Sequence, residues 1–261
     1  MIRIFKCHVA LPRSTSLRFF SIIPLSTSKI SQLRTNGFTV INLPSIATTL
    51  APATSSFTKL NQFRYPRNNY DNQINAKYQQ GFDTMYFLTA AWLHQMCPEF
   101  PLPPTTTSPF DMSDESPFCG SQASKALPYS DSFASIFNFN HGFLNSHFDR
   151  GLLTAVYGRP EPVMVGQHKP AVSLWCQNVS TGEWVDLGKR TGDGDIIIMV
   201  GEQLENSTGG AFKAVQHACR VDPTNGQWLN TKLPKDPEAP DRGNRQSIAF
   251  VLCAPTLVDK L

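Results

Sequence analysis

In the stretch NSHFDRGLLTAVYG, residues 145–158, a histidine and an aspartate stand two apart at the head of an apolar run. Side chains alternate along a β-strand, so residues at this spacing share a face. His147 and Asp149 can therefore approach one ion from adjacent positions. An imidazole nitrogen and a carboxylate oxygen make a mixed donor set that suits iron(II), manganese or zinc, and three such ligands on one side leave other coordination positions open. An H-x-D triplet alone is a weak signal, because most such pairs sit in turns or on surfaces. The chemistry needs a third ligand, another histidine on a later strand. Two histidines follow Asp149, namely His168 and His217. His168 sits in GQHKPAV beside Lys169 and Pro170, a loop-like context. His217 sits in FKAVQHACRV, an apolar strand-like run just after a glycine turn, and is the better choice.

Such a site needs strands to hold it, and the chain after Ser132 supplies them. FASIFNFN, GLLTAVYG, AVSLWCQN, EWVDLG, DIIIMVG, KAVQHACRV and RQSIAFVLCA are short β-prone runs, separated by turn signals such as NVSTGE and Gly192-Asp193-Gly194. Short strands at this spacing predict an antiparallel barrel or jelly roll, mainly β with flanking helices. Further upstream, SKISQLRTNGFTVINL gives a helix, a stop at Asn36-Gly37 and a strand. Residues 46–72, rich in Thr, Ser and Asn, have the composition of a loop. In GFDTMYFLTAAWLHQMC, residues 81–97, Phe82, Met85, Leu88, Trp92 and Met96 recur every three or four positions. That is an amphipathic helix, ended by Pro98, and its Met and aromatic residues serve packing rather than ligation. Residues 98–131, rich in Pro, Ser and Thr, form a long connection and a candidate lid. No G-x-G-x-x-G or Walker sequence is present, which disfavours those nucleotide folds.

The length of 261 residues suits one large domain, with or without a tail. Hydrophobic residues make up 41% and charged residues 16%, so the chain can bury a core and is not disordered as a whole. The net charge of +3 is unevenly placed. Nine basic residues precede the first acid, Asp71, and the remaining 14 face 20 acidic residues. No basic patch lies near the candidate ligands, which argues against a nucleic-acid partner. The six cysteines are scattered without a C-x-x-C pair, so neither a zinc knuckle nor a dense disulfide framework is expected, and reduced thiols suit an intracellular compartment. Residues 1–35 are rich in Arg and Ser and lack acids. This is the composition of a mitochondrial or plastid transit peptide, the alternative being a basic disordered tail on a cytoplasmic protein. No apolar run reaches the ~18–20 residues of a membrane span.

The neighbours of the ligands carry a likeness. HFDRGLLT matches the pattern H-x-D-x-G-L-L-T, GDIIIMVGEQLENSTGGAFKAVQH runs from a strand through a glycine-acidic step to the distal histidine, and NRQSIAFVLCAP holds a closing R-x-S strand. With GEWVDL between them, these segments resemble the iron(II)- and 2-oxoglutarate-dependent dioxygenases of the isopenicillin N synthase-like superfamily. The likeness is clear over residues 132–256 and weaker over LRTNGFTVINL and the helix at 81–97. It implies a double-stranded β-helix, the jelly roll of the cupin type. It implies iron(II) on His147, Asp149 and His217, and 2-oxoglutarate as cosubstrate, with Arg245 on its distal carboxylate and Ser247 donating a hydrogen bond to it. A guanidinium grips a carboxylate through two parallel hydrogen bonds, which suits that role, and residues 245 and 247 share a strand face. The implied reaction uses molecular oxygen to oxidise, most simply hydroxylate, a small organic substrate, releasing succinate and CO2. Phe139, Phe143, Phe148 and Phe212 are candidates for the pocket wall or for plain core.

The sequence also departs from that family. Asn138-Phe139-Asn140 stands where members often have N-x-Y, whose tyrosine touches the cosubstrate. Ala218 and Cys219 separate His217 from Arg220-Val221, and GQWLNTKLPKDPEAPDRGN lengthens the path to Arg245. Two other functions follow from these departures: a degenerate jelly-roll binding protein without turnover, or an oxidase of the same fold that does not use 2-oxoglutarate. The expected organisation is a transit segment or disordered tail (1–35), a helical and loop region packed on the core (36–131), the jelly-roll core (132–256) and a short tail (257–261).

Overall fold

The computed structural model describes residues 23–45, 48, 50, 62–65, 72–103, 128–129, 131–138, 144–160, 172–188, 190–192, 194–221 and 245–255. Residues 1–22, most of the expected lid, Phe139, Asn140, Phe143, His168 and the tail at 257–261 lie outside this set. The described residues form helices and strands along the chain. Three of these elements are helices: α1 (Thr27–Asn36), α2 (Asn72–Met96) and α3 (Glu202–Ser207). Ten are strands: β1 (Phe38–Asn42), β2 (Gln62–Tyr65), β3 (Phe133–Asn138), β4 (Leu144–His147), β5 (Leu153–Pro160), β6 (Val172–Gln177), β7 (Trp184–Asp186), β8 (Asp195–Val200), β9 (His217–Val221) and β10 (Arg245–Leu252).

The strands form two antiparallel sheets, one ordered β1-β8-β5-β10-β3-β2 and the other β4-β9-β6-β7. Their inner faces pack on each other. Phe38, Val156, Ile197 and Met199 of the larger sheet meet Leu174, Cys176, Val215 and Cys219 of the smaller sheet and its approach. The outer face of the larger sheet packs on α2 through Tyr157, Ile196, Ile198, Ile248 and Phe250, against Met85, Tyr86, Trp92 and Leu93. This is the jelly roll that the strand-like runs predict. It also explains why β8 is apolar from Ile196 to Val200. Ile196 and Ile198 face the helix layer, whereas Ile197 and Met199 face the barrel interior, so both faces are buried.

The N-terminal elements join this body directly. The Ser26 side chain caps α1 by accepting from the Lys29 amide, and Gly37 ends it at φ 79°, a left-handed conformation that favours glycine. The chain then enters β1, the edge strand beside β8, where Asn42 Nδ2 donates to Asp195 Oδ1 at 2.7 Å. Leu25 and Leu33 are buried in the outer core, so the folded body includes residues ahead of position 36. Helix α2 holds this segment. Trp92 Nε1 donates to the Ile23 carbonyl at 2.9 Å, and the Gln95 amide pairs with both backbone groups of Leu25.

Two elements differ from the expectation. Gln62–Tyr65 lies within the stretch that has a loop's composition, yet it is a strand, because β3 offers it an open edge. Helix α2 begins at Asn72, nine residues ahead of the apolar repeat that announces it. Among the described residues no helix is long and apolar enough to cross a membrane.

Candidate metal centre

The inner face of the smaller sheet brings His147, Asp149 and His217 together. Their donor atoms all lie within 4.8 Å of one another. His147 Nε2 stands 3.6 Å from Asp149 Oδ1, and His217 Nε2 stands 3.6 Å from Asp149 Oδ2. The two imidazole rings are 4.3 Å apart, tilted by 52°. Two donors each ~2.1 Å from one ion stand roughly 3.0–3.4 Å apart, so the 3.6 Å between His147 Nε2 and Asp149 Oδ1 is within a few tenths of an ångström of the separation that a shared ion sets. Two imidazoles and one carboxylate, with the remaining positions open, are the donor set of non-haem iron(II) oxygenases. The donor set and its spacing therefore fit iron(II).

Strand β4 aims the first ligand by an irregularity. Leu144 pairs with Cys219 and His147 with His217, so three steps on β4 span two on β9. This is a β-bulge, a device that redirects a side chain beside a site. Without it, His147 would face away from the side that Leu144 occupies in the inner core. The bulge also supplies a partner: His147 Nδ1 donates to the Asn145 carbonyl at 2.8 Å. His217 Nδ1 has an equivalent contact with the Val215 carbonyl at 3.3 Å. Both rings thus carry their proton on Nδ1 and turn the lone pair of Nε2 to the centre, the arrangement that metal-ligating histidines use.

Asp149 lies two residues beyond the end of β4, in the turn to β5, rather than on a strand beside His147. Its side chain is fixed from the opposite sheet, where Thr154 Oγ1 donates to Oδ2 at 2.6 Å. Its backbone is fixed by α3. The Glu202 amide donates to the Asp149 carbonyl at 2.8 Å and the Gln203 amide to the Gly151 carbonyl at 3.1 Å. Gly201 makes this approach feasible, because a Cβ there would stand 2.2 Å from the Gly151 oxygen and 2.9 Å from the Asp149 oxygen.

The centre is graded from closed to open. Side-chain exposure rises from 5% at His217 to 18% at Asp149 and 36% at His147, so access is from the His147 side. The electrostatics follow. Burial lowers the pKa of His217, which favours the neutral ring that a metal requires. Burial would lower His147 as well, but contact with the Asp149 carboxylate and the Asn145 carbonyl outweighs it and raises the pKa. Burial would raise Asp149, yet the two histidines and the Thr154 hydroxyl hold its carboxyl below the ordinary range. A cation at this centre competes with the proton that the Asp149 carboxylate favours on His147, so binding it displaces that proton.

Ser247 is buried on β10, paired with Gly158 and Phe137, and shares its strand face with Ala249, which packs into the space between the sheets. Arg245 opens the same strand, opposite Pro160 and two positions from Ser247. Of the four phenylalanines, Phe148 is 43% exposed, and Phe212 is buried in the outer core with the Arg34 guanidinium 5.1 Å over its ring, so Phe212 is not a pocket wall. Sequence reasoning assigned no role to Thr154, Gly201 or the Asn145 and Val215 carbonyls. The final threonine of H-x-D-x-G-L-L-T was the one available signal, since alternation along β5 turns it to the same side as Val156.

No protein-family model matches the chain, and no curated protein matches it by sequence. Solved structures match it by fold. The full-length Neurospora crassa protein in complex with alpha-KG and 5-formyluracil superposes with a TM-score of 0.55 at 12% identity, covering 87% of this chain and 77% of that one. The dioxygenase for auxin oxidation in rice gives 0.55 at 13% identity, covering 87% and 76%. A putative 2OG-Fe(II) oxygenase family protein from Caulobacter crescentus gives 0.52 at 12% identity, covering 90% and 87%. At these identities the likeness establishes a shared fold, and two of these three structures are described as a dioxygenase or an oxygenase.

Proposed function

We propose that the protein is an iron(II)- and 2-oxoglutarate-dependent oxygenase that oxidises a small organic substrate. The observation that carries this reading is the convergence of His147, Asp149 and His217 within 4.8 Å in the mouth of a jelly roll. The fold shared with a rice dioxygenase and a Caulobacter crescentus oxygenase family protein, and with a Neurospora crassa protein solved with alpha-KG (2-oxoglutarate), supports it. Bound on these three residues, iron(II) would supply oxygen activation coupled to conversion of 2-oxoglutarate into succinate and CO2. The chain's own residues do the rest. His147 and His217 offer Nε2, and Asp149 offers one carboxylate oxygen while Thr154 holds the other. Arg245 and Ser247, two residues apart on β10, would grip the far carboxylate of the cosubstrate. The apolar space between the sheets, walled by residues such as Val156 and Leu174, excludes water on the His217 side, and substrate enters on the side of His147.

The test is anaerobic addition of iron(II) and 2-oxoglutarate to the purified protein, followed by oxygen. The reading expects a weak visible charge-transfer band and then succinate, even without substrate. Absence of both would leave a binding protein without turnover. A band lacking with 2-oxoglutarate, but iron uptake intact, would favour a same-fold oxidase.

A further inference from the structure

Asp149 and His217 are 68 residues apart by number, and one short segment touches the backbone of both surroundings. At its start, Gly201 donates to the Leu152 carbonyl at 3.1 Å, and the first turn of α3 holds the carbonyls of Asp149 and Gly151. At its other end, Glu205 reaches out of α3 to the turn that leads into β9. Its Oε2 accepts from the Ala214 amide at 2.9 Å, and its Oε1 pairs with Lys213 Nζ at 3.0 Å. Val215 follows, donating to the Val200 carbonyl at 3.1 Å and offering its own carbonyl to His217 Nδ1. The turn is packed as well as bonded: Phe212 is buried, and its amide donates to Thr208 Oγ1.

We infer that α3 and its following turn act as a strut that sets the separation of Asp149 from His217, with Glu205 as a positioning residue for the third metal ligand. The inference rests on the metal reading given above. The Asp149 end is fixed by main-chain bonds; at the other end β9 is held by its sheet partners and by the Val215 amide on the Val200 carbonyl, and Glu205 adds a side-chain bond to the turn that enters β9. Among the described residues, Glu205 Oε2 is the side-chain acceptor on the helix that lies nearest His217 along the turn into β9. Lys213 is exposed, and an exposed ion pair contributes little. The functional contact is therefore Oε2 to the Ala214 amide, and the negative charge is secondary.

This gives an ordered set of variants, read by titrating each folded, metal-free protein with cobalt(II) and recording its visible d–d spectrum. Groups that orient a ligand typically change metal affinity 10–100-fold. Glu205→Ala is expected to weaken cobalt(II) binding by about tenfold or more and to alter the band shape. Glu205→Asp, which keeps the charge but falls one methylene short of Ala214, is expected to behave like it. Glu205→Gln, which keeps an oxygen acceptor at full reach, is expected to bind like the parent, as is Lys213→Ala. Parent-like affinity in Glu205→Ala overturns the inference. If that variant does not fold, Glu205→Gln binding no better than Glu205→Asp overturns it. Failure of the parent to bind cobalt(II) overturns the metal reading itself, and the strut with it.

Discussion

Thr154→Val replaces a buried hydroxyl by a methyl of similar size, and its consequence can be worked from one bond. Thr154 is 1% exposed, and its Oγ1 donates to Asp149 Oδ2 at 2.6 Å. A hydrogen bond to a charged group contributes about 1.5–3 kcal/mol. Asp149 keeps 18% of its side chain exposed, so water recovers part of the loss and the lower half of that range applies, about 1.5–2 kcal/mol. For a domain of this size that is a fall in melting temperature of roughly 3–8 °C. The pH dependence has a definite sign. The Asp149 carboxyl is depressed, so its contribution is present above the ordinary aspartate range and is lost as pH falls through the depressed value. Removing the Thr154 bond raises the native carboxyl, and the acid loss begins at higher pH. Metal affinity should fall about 10–100-fold, because the free carboxylate oxygen no longer has a fixed partner. The assay is thermal unfolding across pH beside a cobalt(II) titration, with Thr154→Ser as the rescue. Unchanged stability and affinity in Thr154→Val, or a serine variant as impaired as the valine, would refute the reasoning.

Other outcomes follow from the same geometry. Gly201→Ala places a methyl 2.2 Å from a backbone oxygen, which cannot move without moving Asp149. It should cost about 3 kcal/mol or more in urea unfolding and abolish metal binding. The His147 pKa is raised, so its ion pair stabilises the metal-free protein fully below the ordinary histidine range and is lost as pH rises through the raised value. A cation needs the neutral ring, and its affinity should climb over the same rise; affinity flat from about pH 6 to about pH 8 would contradict this. Ser247→Ala should raise the KM for 2-oxoglutarate with little effect on metal binding, measured by succinate release.

The parts of this fold that were legible are those whose physics is local. Alternating or continuous apolar runs announced β5, β6, β8, β9 and β10, and a helical repeat announced α2. Gly37 announced the end of α1, because its left-handed backbone is a property of one residue. Strand β4 was not legible. Its four residues, LNSH, hold one apolar side chain, and its bulge is defined only by pairing with β9. Strand β2 was hidden for the same reason: an edge borrowed from β3 makes it a strand. His147, Asp149 and His217 were recognisable as a chemical set, but the expectation placed Asp149 on the strand. Its place in the turn comes from α3 and Thr154, which act across large gaps in sequence. Gly201 was visible only as part of a glycine-acidic step and Glu205 carries no local signal, because what they do depends on a carbonyl or an amide several to many residues away.

The central claim is that one cation sits between side chains from β4, the turn after it and β9. Crystals soaked with manganese(II) and 2-oxoglutarate, with the metal located by its anomalous scattering, test it directly. The account predicts one strong peak per chain, within ~2.0–2.3 Å of His147 Nε2, His217 Nε2 and one oxygen of Asp149. A peak elsewhere, or a manganese held by His168 in place of His217, would contradict it.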